Sequence, residues 1–197
     1  MDISEQHVQW MAQIARGSES ALHLLYEAFK DRVFNTVLSH LQDKGEAEEL
    51  TQDVFVEIYR SAARFEGKSS VSTWIYRIAV NKSLDRLRYH NRQKRFGLFT
   101  NLLKPGSNEP AVQAPNFDHP GVVLEQKENA RILFQTIETL PEQQKTAFIL
   151  SFIEELPRQE VAEVMQVSVK AVESLLQRAK ANLRTRLDDF FPDRRIK

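Results

Sequence analysis

Between Phe96 and Leu124 the chain carries Pro105, Pro110, Pro115 and Pro120 together with Gly97, Gly106 and Gly121. Each proline removes an amide donor and fixes φ, so no regular element of ordinary length survives that density of breakers. A connection of roughly 30 residues is also too long for a routine loop inside one compact domain. The stretch therefore predicts a flexible linker over 96–124 between two folded parts, 1–95 and 125–190, with a tail at 191–197. On either side of it apolar residues recur at three- and four-residue steps, and nowhere do they alternate with period two. The expected fold class is all-α, two small helical domains joined by a linker, and 197 residues suffice for two modest cores. Leu98, Phe99, Leu102 and Leu103 are apolar for a linker and predict one short helical turn docked on a domain.

In the first part, Ser4 is placed to cap a helix carrying Val8, Met11, Ile14 and Ala15, which Gly17-Ser18 ends. Ser18 then suits the N-cap of a longer helix, whose core stripe is Leu22, Leu25, Phe29, Val33, Phe34, Val37 and Leu41. Asp43-Lys44-Gly45 punctuates before a third helix with Ala47, Leu50, Val54 and Ile58 on one face. Glu46, Glu49, Asp53 and Glu57 repeat on another face and form an acidic ridge. That ridge is either an ordinary solvated face or a docking surface for a basic partner helix. Carboxylates on an exposed helix lack the burial that tunes an acid/base pair, so no catalysis is assigned to them.

The loop Glu66-Gly67-Lys68-Ser69-Ser70 leads into a fourth helical pattern with Val71, Trp74, Ile75, Ile78 and Ala79 on one stripe. Its second half is basic, with Lys82, Arg86, Arg88, Arg92, Lys94 and Arg95 opposed only by Asp85. Cations for phosphates beside the aromatic residues Phe65, Trp74 and Tyr76 are the ingredients of single-strand nucleic-acid binding. An amphipathic helix with a solvated basic face and core aromatics uses the same residues.

The second part opens with a helix from Leu124 to Leu140 carrying Ile132, Leu133, Thr136, Ile137 and Leu140. Pro141 suits the first turn of the next helix, which contributes Ala147, Phe148, Leu150 and Ile153 to a core. The last two helices, Leu156 to Met165 and Val169 to about Leu187, fit a helix-turn-helix. Ala162 is the small residue at the crossing, Gln166 occupies the turn position usually given to glycine, and Val172 with Leu175 and Leu176 is the buried side of the second helix. Ser168 suits the cap of that helix, whose N-terminal residues enter the major groove in such motifs. Lys170, Glu173, Ser174 and Gln177 then meet bases, and Arg178, Lys180, Arg184 and Arg186 reach phosphates. A plain helical hairpin is the alternative.

Formal net charge is zero, so bulk charge does not point to nucleic acid; the segregation of acidic and basic segments does. With no cysteine there are no disulfides, thiolate metal sites or cysteine nucleophiles, which fits a reducing compartment. The opening MDISEQHVQWMAQ is acidic and polar, unlike a signal peptide. No run of about 18 or more apolar residues is present to insert in a membrane, and a cytoplasmic location is expected. There is no Gly-rich phosphate loop, GxSxG or HExxH. His7, His23, His40, His90 and His119 are scattered without a partner at ligand spacing. A chain without catalytic residues, cofactor or metal is expected.

Three collinear segments resemble the extracytoplasmic-function sigma factors, the small two-domain sigma subunits of bacterial RNA polymerase: EAEELTQDVFVEIYR (46–60), RFEGKSSVSTWIYRIAVNKSLDRLR (64–88) and LPEQQKTAFILSFIEELPRQEVAEVMQVSVKAVESLLQRAKANLR (140–184). The resemblance implies sigma domain 2, a linker and sigma domain 4. It further implies that Glu49, Gln52, Asp53 and Glu57 dock on the clamp coiled coil of the polymerase's largest subunit, and that domain 4 meets the flap of the second largest. Phe65, Lys68, Ser69, Ser70, Val71 and Asn81 would form or border a pocket for a flipped base of the −10 element, with Trp74 in the core or at the base. Arg77, Lys82, Arg86 and Arg88 would hold the promoter backbone. Ser168, Lys170, Ala171, Glu173, Ser174, Gln177, Arg178 and Lys180 would read the −35 element. An anti-sigma factor would supply regulation. The sequence departs from the family pattern at Pro157, where Ser or Thr usually caps the helix, and at Gln166. A self-sufficient helix-turn-helix regulator would instead bind operators without polymerase, and a helical adaptor or enzyme borrowing the architecture would show no dependence on polymerase at all.

Overall fold

The computed structural model describes residues 3–102 and 127–187, with side chains described for 3–95 and 130–187. Every regular element among them is helical: α1 (Ile3–Ile14), α2 (Glu19–Leu41), α3 (Lys44–Ser61) with a 3-10 turn at Ala62–Arg64, α4 (Val71–Leu102), α5 (Lys127–Glu138), α6 (Glu142–Phe148), α7 (Arg158–Met165) and α8 (Val169–Leu187). A turn of wider π-type helix, Ile149–Ile153, continues α6.

Short polar side chains set the starts. Ser18 accepts from the Ala21 amide at 3.3 Å, and Asp43 from Glu46 at 2.8 Å. Ser70 accepts from Thr73 at 3.0 Å and Ser168 from Ala171 at 3.2 Å. Each satisfies one of the amides that a helix N-terminus leaves without a partner. Asp43 is thus the cap, and Gly45 lies inside α3. Ser4 is not the cap of α1, which already begins at Ile3.

Helices α1 to α4 close on one core in which Met11, Ile14, Leu25, Val33, Val37, Leu50, Val54, Ile58 and Ile75 are buried. Leu22, Phe34 and Leu41 of the expected α2 stripe lie at its margin. Two expected members of the α1 stripe point elsewhere: Val8 is 45% exposed and Ala15 is exposed. The inward face is His7, Trp10, Met11 and Ile14, because the His7 ring packs edge-on to Phe29 with centroids 4.9 Å apart. That rotates Val8, one position further round the helix, into solvent.

At 32 residues α4 is about 48 Å long. It runs through the start of the expected linker to Leu102, so Leu98, Phe99 and Leu102 extend α4 rather than forming a separate turn. Gly97 costs a helix only about 1 kcal/mol, and the first proline stands at Pro105. Leu103, the rest of the expected linker, the opening of the Leu124 helix and the tail lie outside the described residues.

In the second half, Phe134, Ile137, Leu140, Ile149, Ala179 and Leu183 form one buried cluster. A second joins Ala147, Leu150, Val161, Ala162, Val164, Val172, Leu175 and Leu176 to Tyr76 and Val80 of α4. Expected core residues Phe148, Ile153, Ile132 and Leu133 are half-buried at the edge, and Phe134 is an unforeseen buried member. The two halves therefore share a core through α4.

Candidate nucleic-acid interface

The turn between α7 and α8 follows from how α7 ends. Gln166 sits in the left-handed region at φ 56°, its amide turned onto Ala162 and Glu163 carbonyls, and the Val167 amide reaches Ala162 O at 3.0 Å. This six-to-one and five-to-two pair is a Schellman ending, and it aims α8 across α7. Ala162 is 4% and Val172 0% exposed, which seats the crossing as the pattern predicts. Ser168 caps α8 as expected, and Pro157 precedes α7 at φ −56° with no side-chain cap. A side chain in the left-handed region costs roughly 1–2 kcal/mol, offset in part by the extra freedom a glycine loses. Gln166→Gly is therefore expected to stabilise the fold by roughly 0.5–1 kcal/mol, read as a raised urea midpoint at unchanged slope.

Lys170, Glu173, Ser174, Gln177, Arg178 and Lys180 are all exposed on α8, and Ala171 is half-buried among them. Arg184 and Arg186 continue the face. The Lys180 ammonium lies 4.7 Å from the centre of the exposed Phe152 ring, a cation–π contact that fixes one end of this surface.

The second basic surface belongs to α4. In the loop before it Gly67 has φ 69°, and Phe65 packs edge-on to Trp74 with centroids 5.6 Å apart, both half-buried. Lys68 is exposed and paired with Glu66. Ser69 is half-buried, and the Ser70 hydroxyl is committed to the cap and to the Thr73 hydroxyl at 2.8 Å. Val71, expected in the base pocket, and Tyr76, expected among the aromatics beside the basic surface, are both placed in the core. Val71 is a core residue, 3% exposed, because it begins the apolar stripe that seats α4. Tyr76 is 2% exposed and donates to Glu154 Oε2 at 3.1 Å, so its ring is not free to stack. Asn81 is exposed.

The acidic ridge and the basic helix, read separately from the sequence, face each other. Arg86 lies 3.0 Å from Glu49 and 3.8 Å from Asp53, Lys82 3.9 Å from Glu57, and His90 3.3 Å from Glu46. The matched three- and four-residue spacing of opposite charges on α3 and α4 was the available signal. Glu49 and Asp53 nevertheless keep 66% and 51% side-chain exposure, so the ridge remains open to a partner. Gln52 beside them is exposed. Arg92, Lys94 and Arg95 are exposed beyond the paired region.

Sequence reasoning missed the polar groups where the halves meet. His40 is fully buried, with Nδ1 2.9 Å from Thr36 O and Nε2 3.4 Å from Thr146 Oγ1. Burial and the nearby Lys145 charge push its pKa down to about 4. Lys145, 4% exposed, donates to His40 O at 2.8 Å and pairs with Glu138, and burial lowers its pKa. Gln42 donates to Phe134 O at 2.8 Å and to Glu138 at 3.1 Å. Burial raises Glu154 to about 7 and raises Tyr76 as well. Arg77 donates to Glu163 O at 2.8 Å, and Arg88 to Glu142 at 2.7 Å. A lysine within EQQKTAF carries no mark in sequence of being internal.

Comparison with known proteins matches this geometry. Residues 25–93 match the model for sigma-70 region 2, and residues 130–183 that for sigma-70, region 4. The RNA polymerase sigma-H factor of Pseudomonas aeruginosa is 31% identical over 185 residues, covering 89% of this chain and 91% of the relative. The ECF RNA polymerase sigma-E factor of Escherichia coli K12 is 30% identical over 177 residues, covering 85% and 87%. Among solved structures, CnrH in complex with the cytosolic domain of CnrY aligns with TM-score 0.67 at 22% identity, over 93% of this chain and 98% of that one. The sigma factor RpoE in complex with the anti-sigma factor NepR from Bartonella quintana aligns with TM-score 0.62 at 16% identity, over 84% and 96%. With both regions in order and relatives matched over most of their length, the chain belongs to the extracytoplasmic-function sigma factors, the RNA polymerase subunits that direct transcription initiation at promoters.

Proposed function

We propose that this sigma factor divides its work between the two exposed surfaces just described, as a non-catalytic cytoplasmic subunit needing no cofactor. Residues 1–95 dock on core polymerase and take the −10 element, 96–124 link, and 125–190 take the −35 element. The observation that carries the reading is the pair of open faces: an acidic α3 ridge for a basic coiled coil, and a capped α8 whose N-terminal polar side chains all face solvent. Glu49, Gln52, Asp53 and Glu57 contact the clamp of the largest subunit, and the second half of the chain contacts the flap of the second largest. Phe65, Lys68, Ser69, Trp74 and Asn81 surround the extruded −10 base, a task that needs a stacking face and edge hydrogen bonds. Lys82, Arg86 and Arg88 hold the backbone, and Arg77 joins them once free of Glu163. Ser168, Lys170, Ala171, Glu173, Ser174, Gln177, Arg178 and Lys180 read the −35 duplex. No helix among the described residues is long and apolar enough to cross a membrane. The similar structures hold a sigma factor bound by an anti-sigma factor or by a cytosolic domain, and we infer a protein antagonist of that kind here.

Transcription with purified core polymerase on a promoter library tests this reading. Start sites that appear only with the protein and share spaced −35 and −10 sequences are the expected result. Asp53→Arg is expected to weaken core binding roughly tenfold or more, since like charges set against a partner patch cost at least about 1.4 kcal/mol. Its melting temperature should hardly move, because an exposed pair such as Asp53–Arg86 contributes about 0–1 kcal/mol. Unchanged core affinity would remove the ridge from the docking surface.

A further inference from the structure

The cations of the two basic surfaces are placed in different ways. On α4, Lys82, Arg86 and Arg88 are set against carboxylates, which position them but also neutralise part of their charge. On α8, Lys180 is set against a ring. Its ammonium lies 4.7 Å from the centre of Phe152, and a ring quadrupole attracts a cation without cancelling its charge. An irregularity in the helix brings that ring there. After Phe148, α6 widens into the π-type turn Ile149–Ile153, with the Glu154 amide on Ile149 O at 3.0 Å. Single turns of this kind are rare and recur at functional sites. Within it Ile149 and Leu150 stay fully buried, while Phe152 emerges beside α8 at 41% exposure. The half-buried Phe148 ring backs it, with centroids 4.8 Å apart, so the platform under Lys180 is braced from the protein side. Arg178, on the same helix, is likewise steered by a neutral group, its Nε donating to Ser174 O at 3.3 Å.

We propose that Phe152 is a positioning residue for promoter binding: its ring holds the Lys180 ammonium ready for a backbone phosphate of the −35 duplex. The proposal rests on the assignment of α8 to that duplex, and it requires no contact between Phe152 and DNA. A free surface lysine samples many rotamers, and fixing it on a phosphate removes that freedom at the moment of binding. An ammonium already seated over a ring has lost much of it beforehand, so affinity rises through preorganisation rather than through an added contact. One side of the ammonium meets the ring, and its remaining N–H donors are left for the phosphate. The full positive charge is left as well, which an ion pair with a carboxylate would not allow.

The test uses the full-length protein assembled with core polymerase, and a promoter duplex taken from the start sites it directs. Phe152→Leu keeps the apolar bulk at an exposed position and removes the π face. It is expected to raise Kd about two- to fivefold, the change equivalent to an exposed cation–π contact, with the salt dependence unaltered because the charge stays. Lys180→Met is expected to weaken binding and to reduce the salt slope by about 0.9, the share of one phosphate. In the Lys180→Met background Phe152→Leu should have no further effect, and Phe152→Trp, with a stronger π face, should bind as the parent does. A second readout needs no DNA. The Phe152 ring current should shift the Lys180 side-chain signal upfield in spectra of the lysine-methylated free protein, and Phe152→Leu should abolish that shift. Parent affinity in Phe152→Leu beside a weakened Lys180→Met would overturn the positioning role alone. An unshifted Lys180 signal would do the same, as would an equal loss in both backgrounds, the result a merely structural Phe152 gives. Parent affinity in Lys180→Met and Arg178→Met alike, or a library without start sites, would instead remove the −35 assignment of α8, and the proposal with it, whatever the ring-current shift shows.

Discussion

Leu150→Ala is expected to lower the stability of the entire chain by roughly 2–5 kcal/mol, the range for emptying a fully buried leucine site. Leu150 is 0% exposed and sits in the cluster that also holds Tyr76 and Val80 of α4. Both tryptophans, Trp10 and Trp74, lie in the first half of the chain and pack against its core. Their fluorescence therefore reports on a part of the molecule that Leu150 does not belong to. If the halves unfold as one unit through their shared α4, the urea midpoint read from tryptophan moves with a substitution in the second half. A midpoint left in place, alongside a helical signal that melts earlier, would mean that the halves unfold independently.

The second large effect is a pair of opposed titrations at the same interface. His40 has a folded pKa of about 4, below the usual 6.5. Between those values the unfolded chain binds a proton that the folded chain refuses, so stability is present above about pH 6.5 and drains away as pH falls towards 4, by roughly 3 kcal/mol in full. Glu154 runs the other way. Its folded pKa of about 7 lies above the usual 4.5, so its contribution is present below pH 4.5 and lost as pH rises through 7. Lys145, Thr36 and Thr146 face His40, with Glu138 held on the far side of the Lys145 ammonium, while Tyr76, Thr36 and Arg32 surround Glu154. Between about pH 4.5 and 6.5 the two contributions largely cancel in the parent protein. Glu154→Gln leaves the His40 loss unopposed, and its melting temperature relative to the parent should fall as the buffer is acidified. His40→Gln should gain on the parent over the same range. Three parallel curves would show that neither group titrates differently on folding.

Much of the helix framework was legible because single residues decide it. Ser18 and Ser168 had to cap something, and the stripe from Leu25 to Val37 could face only inward. The helix-turn-helix was legible for the same reason, since Ala162, Gln166 and Val172 stand at positions that backbone geometry restricts. Where the reading failed, the deciding contact came from elsewhere in the chain. The rotation of α1 depends on Phe29, and the burial of Tyr76 depends on Glu154, 78 residues away. Lys145 looks like any surface lysine until the end of α2 is set in front of it. The extension of α4 to Leu102 turns on a small energy: Gly97 costs a helix only about 1 kcal/mol, and the first real obstacle is Pro105. For the candidate site, the exposed face of α8 and the burial of Val71 followed from periodicity, whereas the loss of Tyr76 to packing did not.

The pairing of α3 with α4 makes Arg86 a shared counterion. While Glu49 and Asp53 hold it, its charge is partly neutralised where a phosphate would approach, and while it holds them the ridge is less negative towards a basic partner. A partner that takes the two carboxylates hands the guanidinium to DNA, and a phosphate that takes the guanidinium hands the carboxylates to the partner. On the proposed assignment of the ridge to polymerase and of Arg86 to promoter, the two partners would be reciprocal effectors, each raising the affinity for the other by the same factor. Exposed charges supply the coupling, so it fades as added salt screens them.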